Sequence, residues 1–194
     1  SGKFFKSNPK IHFIFGLKED FGGKPFSFIH YLAIKSAYEA NKPDAIKFYY
    51  KYEPNGEWWE KAKEYLTLIK IEPPTEILGI PLLQVAHQAD VVRLELLINE
   101  GGIYLDIDVF CLNSFEPLRQ YNCVLGIEEK VGLSNAVILV APNSPFLKMW
   151  YQEYKTFRSK GRDKYYVEHS VELPFKIAQQ NPELIHIEDK FSFC

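Results

Sequence analysis

The sequence predicts an α/β fold with a mostly parallel central sheet flanked by helices, and three observations carry that reading. Short apolar runs alternate with segments of helical spacing from Ile11 onward. Gly- and Pro-containing stretches separate them. The run Gly101-Gly102-Ile103-Tyr104-Leu105-Asp106-Ile107-Asp108-Val109 sets two carboxylates at the end of an apolar strand, directly after a long helix. Repeated β-α-β order implies parallel neighbours whose ligands bind beyond the carboxyl ends of the strands. At 194 residues, 46% hydrophobic, the chain suffices for one well-packed domain and is short for two, so 1–194 is read as one domain.

In order, Ile11 to Phe15 reads as a short buried strand ending at Gly16. A Gly/Pro loop through Pro25 leads to a helix from Phe26 to Ala40. Ala45 to Tyr50 is the next strand, Glu57 to Tyr65 a short helix with Trp58 and Trp59, and Thr67 to Ile71 a third strand stopped by Pro73-Pro74. Leu83 to Glu100 is a helix with Val85, Ala89, Val92 and Leu96 on one face. Cys123 to Glu128 and Asn135 to Ala141 read as strands. Ser144-Pro145 opens a helix with serine as N-cap and proline at its first position. A helical stretch from Val167 to Gln180 is interrupted by Pro174, and Leu184 to Ile187 closes the pattern as a short strand.

Successive strand side chains alternate faces, so Asp106 and Asp108 are expected to point the same way, about 6 to 7 Å apart. Ile103, Leu105, Ile107 and Val109 would then anchor the other face. Such a pair suits a hard divalent cation, one carboxylate holding it and the other ordering a water or a ligand hydroxyl. Gly101 is expected to stop the helix in the left-handed conformation. Asp90 and Arg93 stand three apart on that helix, a spacing that by itself makes an ordinary surface pair. The direct run from helix to acidic strand instead gathers Asp90, Arg93, Asp106 and Asp108 around one crevice, suited to a polyhydroxylated anionic ligand.

A net charge of −2 with mixed signs offers no basic stripe for nucleic acid. No apolar run approaches the roughly 20 residues of a membrane span, and no secretory signal is visible. Cys111, Cys123 and Cys194 lack metal-type spacing and leave at least one thiol unpaired. That fits a reducing, cytoplasmic setting. The start at Ser1-Gly2 is also compatible with a Golgi-lumenal piece whose anchor was removed.

The segments Ala86-His87-Gln88-Ala89-Asp90-Val91-Val92-Arg93-Leu94-Glu95-Leu96-Leu97 and Gly101 to Val109 resemble the sugar-binding region of glycosyltransferase family 32. The family pattern has a Ser-Asp pair, an arginine three residues later, and then G-G-x-Y-x-D-x-D. Ala89 replaces the serine here, removing its hydroxyl. Pro9 to Gly16 is similar to the family's opening P-K-I-I-H-x-I-W with one isoleucine fewer. Asn135-Ala136-Val137-Ile138 and Asn143 to Leu147 resemble its later N-A and H-P-F-L segments.

The resemblance implies a Rossmann-like GT-A fold, Mn2+ or Mg2+ at Asp106 and Asp108, and a nucleotide-sugar donor, UDP-hexose ahead of GDP-mannose. It also implies a carbohydrate or glycoprotein acceptor and a retaining transfer. Carried onto this chain, Asp108 is the direct metal ligand and Asp106 the contact to ribose or metal-bound water. Asp90 and Arg93 hold the donor's hydroxyls. Phe15 and Gly16 receive the base, with Tyr104 near the sugar or diphosphate and Asn135 a further donor or acceptor contact. A last metal ligand from a histidine-containing C-terminal segment has no recognisable equivalent in Phe191-Ser192-Phe193-Cys194. His169 and His186 are the candidates to replace it, although each also reads as structural.

Other residues read more plainly. His12 reads as a satisfied core histidine. Trp58 and Trp59 read as one surface and one core aromatic, and Tyr49, Tyr50 and Tyr52 are partly core. A haloacid-dehalogenase phosphatase also ends a strand in D-x-D, but it wants Thr or Val where this chain has Phe110, and a later acidic pair. A glycosidase needs two carboxylates about 5 to 9.5 Å apart on either side of the scissile bond. A non-catalytic sugar- or nucleotide-binding module on the same fold is the remaining alternative. No G-x-G-x-x-G, Walker or G-x-S-x-G motif is present.

Overall fold

In the computed structural model, which describes residues 8–128 and 132–188, Ile11–Ile14 forms β1 at the centre of the molecule. Its four side chains are all buried, as expected of a strand covered on both faces. Then come α1 (Phe28–Asn41), β2 (Ile46–Tyr50), α2 (Glu57–Ala62), β3 (Thr67–Lys70), a two-stranded ribbon of β4 (Glu76–Ile77) and β5 (Ile80–Pro81), and α3 (Val85–Glu100). β6 (Gly102–Leu105), β7 (Cys123–Glu128), β8 (Gly132–Val140), α4 (Pro145–Glu153), α5 (Leu173–Gln180) and β9 (His186–Glu188) complete the chain. Apart from the β4–β5 ribbon, which the sequence reading lacks, the elements match that reading to within a few residues at their ends. Pro174 falls in the first turn of α5, where a missing N–H costs nothing, and a π-helical turn, Glu168–Glu172, precedes it.

A seven-stranded sheet runs β3-β2-β1-β6-β8-β7-β9. β3, β2, β1 and β6 are parallel, β8 is antiparallel to both β6 and β7, and β9 returns parallel to β7. Alternation along the central strands divides the core. Ile11, Phe13, Ile103 and Leu105 pack under α1 and α2, whereas Ile14, Tyr104, Ile138 and Val140 pack under α3, α4 and α5. The expected anchorage holds: Ile103 and Leu105 belong to the first cluster, and Ile107 and Val109 pack against it. On α3 the deepest positions include Val91, Leu94 and Leu97, with Val85, Ala89 and Val92 only partly buried beside them.

The joint between α3 and β6 is two glycines long. Gly101 has a positive φ of 66° as expected, but its ψ of −165° lies outside the left-handed helical region, in territory open almost only to glycine. A Cβ there would lie 2.6 Å from the Pro142 nitrogen, and one on Gly102 would lie 2.6 Å from the Lys10 carbonyl oxygen. His12 fastens the joint. Its Nε2 is 2.9 Å from the Gly101 carbonyl, which can only accept, so that nitrogen carries the proton and Nδ1 accepts from the Tyr49 hydroxyl at 3.2 Å. The core role expected of His12 is the one it has. Trp59 is likewise fully buried, and Trp58 lies half-buried against Phe28 and Tyr31. Tyr49 is buried, while Tyr50 and Tyr52 are half-buried. Cys111 and Cys123 are buried free thiols, and Cys194 lies outside the described residues.

Burial lowers the His12 pKa from 6.5 to about 4, outweighing the Gly101 hydrogen bond and the Glu100 carboxylate 3.9 Å away. The unfolded chain therefore takes up this proton first as pH falls. His12 thus contributes stability that is complete above about pH 6.5 and is lost down to about pH 4, at no more than about 1.4 kcal/mol per pH unit. Urea unfolding across this range should show that slope, and His12→Gln should flatten it; equal slopes in the two proteins would contradict the burial argument.

Candidate functional site

Strand register brings the site together. β1 and β6 are parallel neighbours with His12 opposite Tyr104, so the residues after β1, Phe15 and Gly16, lie level with those after β6. Across the other edge of β6, Leu105 faces Val137 of β8, and the Asp106 N–H continues the ladder to the Ala136 carbonyl at 2.9 Å. Asn135 thereby comes beside Asp106, although they are far apart in sequence. α3, running back into β6 through the glycine joint, lays Asp90 and Arg93 over the same edge.

Arg93 is the hub. Its guanidinium donates to the Asn135 carbonyl at 2.7 Å and to Asp106 Oδ1 at 3.2 Å, stands 3.7 Å from Asp90 Oδ1, and lies 4.1 Å from the Tyr104 ring centroid. The Tyr104 hydroxyl donates to Asp106 Oδ1 at 2.8 Å, and the Asn135 amide to Asp90 Oδ1 at 3.0 Å. Side-chain exposure grades outward: 7% for Arg93, 13% for Asp90 and 35% for Asp106. Burial works against the Arg93 charge, but Tyr104, Asp106 and Asp90 outweigh it and its pKa is raised. Burial raises the Asp90 pKa against the pull of Arg93 and His87. It raises that of Asp106 against Arg93 and the Tyr104 hydrogen bond. Burial also holds Tyr104 neutral, keeping its hydroxyl a donor.

The acidic pair needs a correction. β6 ends at Leu105, so Asp106 and Asp108 lie beyond the strand, in a turn closed by the Val109 N–H on the Asp106 carbonyl at 3.0 Å. The spacing of a continuing strand does not apply to them. Asp106 keeps the Tyr104 side, while Asp108 is exposed and its charge is felt by His30 of α1. Among the described residues Asp108 makes no hydrogen bond or ion pair. The loop turns because Cys111 N–H and Phe115 N–H bond Ser36 Oγ and Asn41 Oδ1 of α1, both at 2.9 Å.

Charge decides what the site can hold. Two acids around one arginine leave a net negative charge, and exposed Asp108 adds another. Both protein hydrogen bonds to Asp106 fall on Oδ1, so Oδ2 takes none among the described residues. This donor set fits a hard divalent cation whose remaining ligands come from phosphate oxygens and water. Among the described residues no three His, Cys, Asp or Glu side chains converge for a metal. Neither histidine proposed as an extra ligand joins the acids. His169 is buried between Thr156 Oγ1 at 2.9 Å and the Glu153 carbonyl at 3.2 Å. His186 pairs with Val124, at the other end of the sheet, and stacks on Tyr121. The segment 191–194 lies outside the described residues.

Beside this cluster is a cavity of about 360 Å3, lined by Phe15, Gly16, Phe21 and Ala89 among others. Its far wall is Arg162 and Tyr166. Sequence reasoning did not select these two residues, because Lys160-Gly161-Arg162-Asp163-Lys164 carries no periodicity and reads as a solvated loop.

Residues 3–125 match the model of the family described as "glycosyltransferase sugar-binding region containing DXD motif". The chain belongs to this family. It is 37% identical over 196 residues to "Glucan organizing enzyme 1" of Cryptococcus neoformans var. grubii, a match covering 94% of this chain and 52% of that protein. It is 43% identical over 61 residues to "Inositol phosphoceramide mannosyltransferase 3" of Schizosaccharomyces pombe, covering 31% of this chain and 17% of that one. The chain thus spans about half the length, or less, of these curated relatives. Among solved structures, "PaToxG Glycosyltransferase" superposes with a TM-score of 0.54 at 20% identity, over 90% of this chain and 69% of that one. The fold is GT-A, with a mostly parallel central sheet as the sequence predicts. Members of this DXD family use divalent metal and nucleotide-sugar donors. Among the described residues no helix is long and apolar enough to cross a membrane.

The hub has a consequence for stability. Arg93→Lys keeps the charge but cannot reach Asn135 and Asp106 in the same plane. It should lower unfolding free energy by about 1 to 3 kcal/mol. Asp108→Ala, at an exposed turn, should change it by less than about 0.5 kcal/mol. Thermal or urea unfolding of the two variants measures the contrast, and equal losses would contradict it.

Proposed function

We propose that this chain is the catalytic domain of a metal-dependent hexosyltransferase that takes a hexose from a nucleotide-sugar, UDP-hexose ahead of GDP-mannose, with retention of configuration. The observation that carries the reading is Arg93 held between Asp90 and Asp106, with Asp108 just beyond, at the carboxyl edge of the sheet beside an open cavity. A relative named for glucan, over nearly the whole chain, favours a glucose-type donor. The shorter match to a mannosyltransferase keeps GDP-mannose as the second choice. The acceptor is a carbohydrate or a glycoconjugate.

Each residue then has work fitted to its place. Asp90 accepts from donor hydroxyls and Arg93 donates to them; a rigid pair of acceptor and planar donor is how a sugar's orientation is fixed. Phe15 offers a ring face to the base, and Gly16 lets the backbone come close to it. Tyr104 and Arg93 hold Asp106 in one rotamer. Asp106 and Asp108 would hold Mn2+ or Mg2+, which when bound neutralises charge on the departing diphosphate. In net terms the donor's bond from C1 to diphosphate oxygen breaks and a bond from C1 to the acceptor oxygen forms. The acceptor's proton leaves with the products.

Incubation with a panel of nucleotide-sugars and Mn2+, read by nucleotide release and by glycan product, tests this. Asp108→Ala should reduce turnover by at least about 100-fold. Asp90→Asn should weaken donor binding. In calorimetry Mn2+ alone should bind weakly and UDP should strengthen it. Unchanged turnover in Asp108→Ala would sink the assignment of metal dependence, and tight nucleotide-independent Mn2+ binding would show that another protein ligand completes the site.

A further inference from the structure

The cavity beside the acidic cluster has an uneven charge. The residues lining it include Lys18 and Arg162 and no carboxylate, in a chain whose net charge is −2. Among the described residues neither cation has an acidic oxygen within 4 Å, whereas nearby Arg158 is neutralised. Arg158 binds Glu168 through two hydrogen bonds, at 2.7 and 3.0 Å. Asp163, next to Arg162 in sequence, is committed to its own loop: it accepts from Ser159 Oγ and the Lys160 N–H at 2.9 Å and from the Tyr165 N–H at 3.0 Å. Lys164 lies against the Tyr165 ring and does not line the cavity. Arg162 is thus the one cation of this loop that is both unpaired, among the described residues, and turned to the cavity.

The loop is also fixed in place. Arg162 stands 5.4 Å from the Tyr166 ring centroid. Tyr166 in turn packs on His87 of α3 at 4.8 Å between centroids, and its carbonyl accepts from His87 Nε2 at 2.9 Å. The wall carrying Arg162 is therefore pinned to the helix that bears Asp90 and Arg93. Lys18 lines the same cavity from another segment, the loop after β1 that follows Phe15 and Gly16. Two cations from separate segments, both lining a cavity of about 360 Å3 whose lining holds no carboxylate, define a place for a compact anion.

We infer that Lys18 and Arg162, from two separate segments lining this cavity, form a cationic grip on the diphosphate of the nucleotide-sugar. The inference rests on the proposed donor class and adds the residues that recognise its anionic part. Arginine can take two phosphate oxygens in one plane, and lysine adds a point charge. The base against Phe15 and the sugar against Asp90 and Arg93 are held by other groups, so the grip should distinguish nucleoside diphosphate from nucleoside.

Calorimetric titration with UDP, GDP, uridine and inorganic pyrophosphate, all with Mg2+, tests this in the wild type and in Arg162→Gln, Lys18→Gln and Lys164→Gln. All three positions are exposed, so unfolding curves should overlay and folding does not confound the result. The expected result is a loss of about tenfold or more in UDP and pyrophosphate affinity for Arg162→Gln and a smaller loss for Lys18→Gln. Uridine binding should stay within about twofold, and Lys164→Gln should match the wild type. Wild-type affinity for both anions in Arg162→Gln and Lys18→Gln would overturn the grip and leave the donor assignment standing. Arg162-dependent binding of pyrophosphate without any binding of UDP or GDP would keep the grip and overturn the donor assignment. An equal loss in Lys164→Gln would reduce the effect to general surface charge and overturn the grip.

Discussion

A guanidinium 93% withdrawn from solvent has to be satisfied from every side, and much of the architecture around β6 answers that requirement. Placing such a charge in the interior alone costs several kcal/mol, and removing a single partner from a buried pair costs about 3 to 5 kcal/mol. Arg93 meets most of the requirement with a carbonyl from β8, a carboxylate from the end of β6, a carboxylate from its own helix and a tyrosine face, while its Nε stays buried without a hydrogen bond among the described residues. These groups come from three elements, so their meeting point can exist only when α3, β6 and β8 are all in register. The site and the fold are the same set of contacts, and Asp106 and Asp90 are held rigidly without any ligand.

This economy explains why polar side chains sit in the best packed part of the molecule. Tyr104 lies on the α3 face of the sheet, among Leu94, Ile138 and Leu97, yet its hydroxyl reaches the solvent-facing acid that follows two residues later. The alternation that buries Ile103 and Leu105 on one face forces Tyr104 and Asp106 onto the other. The hydroxyl-to-carboxylate contact is thus a by-product of strand geometry, used to orient an acid.

Much of this was legible in the residues. The helix spacing of Asp90 and Arg93, the glycine pair as a helix stop and the apolar parity of Ile103, Leu105, Ile107 and Val109 are local patterns, and the structure places them as read; the shared direction of Asp106 and Asp108 is lost where β6 ends. What the sequence hides depends on pairing between distant segments. Asn135 contributes its backbone carbonyl as well as its amide, and only the antiparallel register of β8 on β6 puts either near Arg93. β6 ends at Leu105 and the chain turns through the Val109 N–H on the Asp106 carbonyl, after which α1 holds Cys111 and Phe115, contacts between segments far apart in sequence. Arg162 belongs to an irregular loop whose position is fixed by Tyr166 on His87, a contact with no periodic signature.

The glycine joint also divides the molecule into parts that can change and a part that cannot. Elsewhere the chain leaves the sheet through loops, at Gly16 to Pro25 and from Val109 to Tyr121, in which exposed residues alternate with anchored ones such as Gly16 and Phe115. Between Arg93 and Asp106 there is no loop at all. Helix, two glycines and strand act as one ruler twelve residues long between these two side chains, and one inserted residue would turn the acid to the other face of the sheet. A loop can absorb an added or lost residue by changing its path; this ruler can only pass the change on, so the distance from Arg93 to Asp106 is set by the count of residues between them.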